Sequence, residues 1–235
     1  PGAAGMRGIA QAAQADDGHT LVGVNPPAEV LPWLLDEDLQ NQVDITALEP
    51  VASIGFSSYV LIGNADANFD GFKDAIDRYQ SGEFSKIAST QAGGAGNVVA
   101  VLMRDQMGLD WNNYVAYDGA APTVQAVSSG EVPLGLPTAG TAKPAIDEGL
   151  VDPVVVCRAD GSNVLPDAPT VTDEGFDSID YVGAVTRSLL APPGTPDNQL
   201  ETLSSGIKNI VESDDMQQWS EETGRGVAYR NRKET

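Results

Sequence analysis

STQAGGAGN, residues 89–97, runs directly into VVAVLMRDQMG, residues 98–108. The β-branched and small residues of FSKIAST (84–90) read as a strand. The glycines that follow read as a tight turn, and the apolar periodicity beyond them predicts a helix from Val98 to Met107. A strand that turns through glycine into a helix aims backbone N–H groups at one point, a place where proteins hold anions.

Working outward, the same alternation repeats. Strands are expected in NNYVAY (112–117), VPLGLP (132–137) and VDPVVVC (151–157), with helices in TVQAVSSG (123–130) and AKPAIDEG (142–149). Upstream, FDGFKDAIDRYQSG (69–82) places apolar residues at 69, 72, 76 and 79, a helical spacing that ends at Gly82. LEPVASIGFSSYVLIGN (48–64) holds two β-rich pieces, HTLVGV (19–24) a strand, and Met6 to Ala15 an Ala/Gln-rich helix. Repeated β-turn-α units indicate an α/β fold with a parallel, helix-covered sheet. Ligands of such sheets bind at the carboxyl ends of strands, where STQAGGAGN, YDGAAP (117–122) and LPTAG (136–140) all lie. Near the end, APPGTP (191–196) is a rigid turn, Asp197 is placed to cap a helix reaching about Val211, and RGVAYRNRK (225–233) is expected to be a solvated basic terminus.

Charge narrows the function. The 235 residues carry 34 acidic against 13 basic side chains, a formal net charge of −21. Nucleic acid is excluded as a partner, because a phosphate backbone needs clustered Lys and Arg. The acids are scattered singly and in pairs, the pattern of a protein from a high-salt setting, where the Debye length shrinks to about 3 Å at 1 M. An ordinary acidic protein is the plainer alternative. An apolar content of 41% is enough for a core, and no run of eighteen apolar residues spans a membrane.

Chemistry-bearing residues are few. The single Cys, Cys157, ends an apolar run and reads as a core thiol; the single His, His19, sits in a turn with no partner for a zinc site and no G-x-S-x-G elbow for a triad. The balance tilts from enzyme to binder, with no cofactor and no metal expected. Three readings of the glycine turn stay open. A Walker loop fails, since no Lys lies between 87 and 142. A dinucleotide turn is incomplete, because Val99 stands where a third small residue belongs, although Asp110 and Asp118 lie near the distance of a ribose acid. A carboxylate needs only two or three backbone N–H groups and a hydroxyl. A purely structural turn needs nothing more.

PGAAGMRGIAQAAQADDGHTL (1–21), YDGAAPTVQAVSSGEV (117–132), LPDAPTVTDEGF (165–176) and LLAPPGTPDNQLETL (189–203) together resemble the substrate-binding proteins of tripartite tricarboxylate transporters, the Bug-type extracytoplasmic solute receptors. The resemblance covers essentially the whole chain, with the phrases in the family's order. It implies a type II periplasmic-binding-protein fold of two α/β lobes, a hinge and a cleft that closes on a small carboxylate. Lobe 1 would combine residues 1–56 with 181–235, and lobe 2 would be 57–180. Carried onto this chain, Ser89, Thr90, Gly93, Gly94 and Asn97 would cradle the carboxylate, Asn25 would contribute from lobe 1, and Thr138 would line the floor. The family's opening strand with its glycine-rich loop would precede Pro1, and its last helix would follow Thr235.

The resemblance further implies an extracytoplasmic monomer, lipid-anchored or free, that delivers a di- or tricarboxylate to membrane permease subunits. Gln91 stands where the family usually has Gly, and Pro133 and Pro137 where it often has Asp. Without an Asp to neutralise an ammonium, a ligand lacking an amino group is expected. The rival expectations are a nucleotide-dependent α/β enzyme and a ligand-sensing subunit of a signalling system.

Overall fold

In the computed structural model, residues 5–223 and 226–235 are described. Helix α1 (Met6–Ala13) buries Met6, Ile9 and Ala12, one face of a 3.6-residue repeat. Strand β1 (Val22–Val24) follows an Asp17 turn in which the carboxylate accepts from the His19 and Thr20 N–H groups. Two short helices come next, α2 (Val30–Leu35) and α3 (Glu37–Gln42); Asp36 caps the second by accepting from Asp38 and Leu39 N–H. The β-rich stretch is two strands, β2 (Glu49–Ser58) and β3 (Val60–Asn64).

Helix α4 (Gly71–Gln80) buries Phe72, Ala75, Ile76 and Tyr79. Phe69, expected on that helical face, lies ahead of the helix; the Arg78 guanidinium stacks 4.6 Å from both its ring and that of Phe84. Then come β4 (Lys86–Thr90), α5 (Ala95–Met107), β5 (Asn113–Tyr117), α6 (Ala120–Ser128), β6 (Leu134–Gly135), α7 (Ala139–Asp147) and β7 (Val151–Val156). The chain closes with β8 (Ala184–Ala191), α8 (Asp197–Val211) and α9 (Asp214–Thr223).

Two compact units divide these elements: Pro1–Phe56 with Val185–Thr235, and Ser57–Ala184. The first unit is built on a three-stranded sheet in the order β1-β8-β2. Met6, Ile9, Val24, Val43 and Leu48 form one of its cores, and Val51, Ala191 and Leu200 another. Its basic tail departs from the expected solvated terminus. Ser53 and Arg230 exchange both backbone hydrogen bonds, at 3.1 and 3.0 Å, and Arg232 Nε donates to the Pro50 carbonyl at 3.1 Å. An unpaired strand flank is thereby satisfied by chain that composition alone assigns to solvent. Asp197 does not cap α8 either: Pro196 occupies that position without a side-chain bond, and Asp197, inside the first turn, holds Arg232 at 3.1 Å.

The second unit holds a five-stranded sheet in the order β5-β4-β6-β3-β7. β4 runs parallel to β5 and β6, as the β-turn-α alternation implies, whereas β3 is antiparallel to both β6 and β7. The sheet is therefore mixed rather than parallel, because β3 arrives as a near continuation of β2 and not through a helical crossover. Val60, Ile62, Val124, Val127, Ala139, Ala142, Val151 and Val156 pack α6 and α7 against it.

Candidate functional site

The direction of the strands decides what gathers at one edge of the second unit. β4, β5 and β6 all end there, and each hands over within a few residues to the first turn of a helix, α5, α6 or α7. Each helix start carries a partial positive charge from unsatisfied N–H groups. Because β3 runs the other way, it begins at this edge: Tyr59 bridges to Thr138, and the Val60 N–H donates to the Pro137 carbonyl at 3.1 Å.

At the junction between β4 and α5 two glycines build the turn. Gly93 takes a left-handed conformation (φ 80°), which turns the chain, and Gly94 is extended. The Gly94 N–H donates to the Gln91 carbonyl at 3.1 Å and the Gly93 N–H to Asn97 Oδ1 at 3.1 Å. The helical ladder starts with the Val98 N–H on the Gly94 carbonyl, and no side chain caps the helix. Among the described residues, the N–H groups of Ala95 and Asn97 are left without a protein acceptor, and that of Gly96 is directed at the Tyr59 hydroxyl oxygen. The donors available to an anion are thus in the first turn of α5, just after Gly93 and Gly94, whose amides hold the turn itself together.

Of the residues singled out from sequence, Ser89, Thr90, Gly93, Gly94, Asn97 and Thr138 do share this edge. Ser89 is wholly buried and its hydroxyl donates to the Leu136 carbonyl at 2.8 Å, tying β4 to the segment after β6. Thr90 is half-buried, with Oγ1 facing the backbone of Gly94 and Gly96. The Thr138 hydroxyl pairs with that of Thr141 at 3.0 Å at the start of α7. Asn25 belongs to the other unit; its N–H and side-chain amide engage the Glu29 carboxylate at 2.8 and 3.4 Å.

Two tyrosines that sequence reasoning passed over complete the edge. Tyr114 donates to the Thr90 carbonyl at 2.5 Å, and its hydroxyl lies within reach of the Ser89 and Asn97 side chains. Tyr59 is 5% exposed, and burial pushes its hydroxyl up to about 12, so it stands as a neutral donor. A tyrosine inside the apolar run SSYVLIG reads as core; its place just ahead of a strand, beside two serines, was the only sign of another role.

Chemically, this edge offers backbone amides and neutral hydroxyls, suited to accept-only oxygens such as those of a carboxylate. The single thiol, Cys157, is fully buried, and burial raises it far above the ordinary range. Among the described residues, no three His, Cys, Asp or Glu side chains converge into a metal site.

The family model described as the tripartite tricarboxylate transporter family receptor matches residues 1–235. A UPF0065 protein of Bordetella pertussis is 27% identical over 207 residues, 87% of this chain and 61% of the relative. Another from Agrobacterium vitis is 26% identical, over 89% of this chain and 60% of the relative. The chain therefore spans about three fifths of the length of these curated relatives. Among solved structures, a TctC solute-binding protein from Polaromonas superposes with a TM-score of 0.81 at 18% identity, over 99% of this chain and 78% of that one. An R. palustris protein with adipate gives 0.80 at 20% identity (99% and 77%), and MatC from Rhodopseudomonas palustris with bound malate gives 0.74 at 22% (96% and 76%). These likenesses establish the fold.

Proposed function

The chain belongs to the tripartite tricarboxylate transporter receptor family, and from that premise we propose that it captures a small organic carboxylate outside the cytoplasm and presents it to membrane permease subunits, without catalysing a reaction. The observation that carries this reading is the start of α5, where the Ala95 and Asn97 amides have no protein acceptor and the Tyr59 hydroxyl stands beside them. Hydrogen bonds from such donors to an ionised oxygen contribute roughly 1.5–3 kcal/mol each, so three or four reach micromolar affinity, about −8 kcal/mol. No lysine or arginine is required, which fits residues 87–103, where none occurs.

The malate and adipate held by two structural neighbours support a di- or tricarboxylate here. The scarcity of catalytic groups supports a receptor over an enzyme. No helix among the described residues is long and apolar enough to cross a membrane.

Isothermal titration of the protein with malate, succinate, adipate, citrate and benzoate, in 0.1 M and in molar salt (about 10 and 3 Å of screening length), tests the reading. One saturable carboxylate is the expected result. Silence across the panel at both salt concentrations overturns it.

A further inference from the structure

Tyr59 is almost fully buried, yet its hydroxyl donates to no protein group among the described residues. The residue is 5% exposed. Its backbone is fixed on three sides: the N–H donates to the Gly183 carbonyl at 2.9 Å, the carbonyl accepts from the Cys157 N–H at 2.9 Å, and the strand bridges to Thr138. From that anchor the side chain reaches across the end of β6 to the first turn of α5, where the Gly96 N–H is directed at its oxygen. The hydroxyl proton has no acceptor among the described residues.

We propose that Tyr59 is a ligand-binding residue whose O–H donates to one carboxylate oxygen while the free amides at the start of α5 hold the other. The assignment rests on the receptor reading above and deepens it. It makes the cradle wholly neutral: a hydroxyl and main-chain amides, all donors, facing a group that can only accept. Such a site takes ionised carboxylates and rejects primary carboxamides, whose NH2 would meet donors on every side.

Tyr79 supplies the control. It too is buried, but its hydroxyl donates to the Lys86 carbonyl, so its role is internal. Malate and adipate are titrated into the wild-type protein, Tyr59→Phe and Tyr79→Phe, with thermal melts of all three. Tyr59→Phe is expected to weaken Kd about 10- to 100-fold, the worth of one hydrogen bond to a charged group, with its melting temperature unchanged. Tyr79→Phe is expected to melt lower and bind as wild type. Tyr59→Phe binding with unaltered Kd overturns the assignment alone, and so does an equal loss of affinity in both variants. Silence of the wild type overturns the receptor reading and this assignment with it. A crystal with malate in which Tyr59 Oη stands beyond about 3.2 Å from every carboxylate oxygen also overturns the assignment.

Discussion

A Cβ added to Gly96 would lie 2.2 Å from the Ser89 hydroxyl oxygen. Ser89 cannot easily retreat, because that hydroxyl is bonded to the Leu136 carbonyl and the residue is wholly buried. Gly96→Ala should therefore either break the Ser89 bond or lift the first turn of α5, costing about 1–3 kcal/mol. Removing the obstruction with Ser89→Ala costs the hydrogen bond but frees the space. The double variant should lie well short of the sum of the two single losses, with a coupling of about 0.5–3 kcal/mol. Urea unfolding of the four proteins measures this, and simple additivity would show that the contact carries no weight.

How much of this edge was legible in the sequence varies residue by residue. The β-turn-α rhythm from Phe84 to Cys157 is written in alternating β-branched runs and glycine turns, and the elements from β4 through β7 follow it. The start of α5 lies three residues before Val98, because Ala95, Gly96 and Asn97 are too small or polar to register as apolar periodicity. β6 shrinks to Leu134–Gly135, with Pro133 and Pro137 close on either side and unable to donate to a ladder. The direction of β3 was not legible, since strand polarity depends on how the chain enters the sheet and not on its composition. Ser89 and Thr138 came from the family resemblance, but which hydroxyls are already spent on protein partners is a property of packing alone.

Buried phenols and a buried thiol make stability fall in alkali. Burial raises Tyr59 to about 12 and lifts Tyr79 and Cys157 further. In the unfolded chain these groups ionise near their ordinary values of about 8.5–10. Above that range the unfolded state sheds protons that the folded state keeps, so stability is full below about pH 8.5 and declines as pH rises towards 12. Urea midpoints at pH 7, 9 and 10.5 should decrease in that order. Cys157 should resist thiol reagents at pH 8 until denaturant is added, and prompt native-state labelling would contradict the burial argument.

The docked tail separates a hydrogen bond from an ion pair. Arg232 uses Nε on the Pro50 carbonyl and Nη2 on Asp197, whose side chain is 86% exposed. An ion pair with so exposed a partner is screened, so Asp197→Asn should leave the melting temperature within about 1 °C. Arg232→Ala also strips the packing and the partly buried donor that hold the tail against β2, and should lower it by roughly 2–4 °C. Hydrogen exchange gives a second readout. The Ser53 and Arg230 amides, protected by each other's carbonyls in the wild type, should exchange faster in Arg232→Ala and unchanged in Asp197→Asn.

Salt should strengthen both the fold and ligand capture, the reverse of what an ordinary cationic anion site shows. At a net charge of −21 the chain repels itself and any carboxylate approaching it. Raising salt from 0.1 M to 1 M shortens the Debye length from about 10 to 3 Å, which removes repulsion between separated charges while leaving bonds of about 3 Å to the α5 amides intact. Thermal melts should therefore rise with sodium chloride, and Kd for a dicarboxylate should tighten over the same range. The gain in affinity should appear mainly in the association rate, because long-range fields govern encounter more than residence. A Kd that weakens steadily with salt would mean that a cation holds the ligand, and the neutral cradle at Ala95–Asn97 and Tyr59 would then have to be given up.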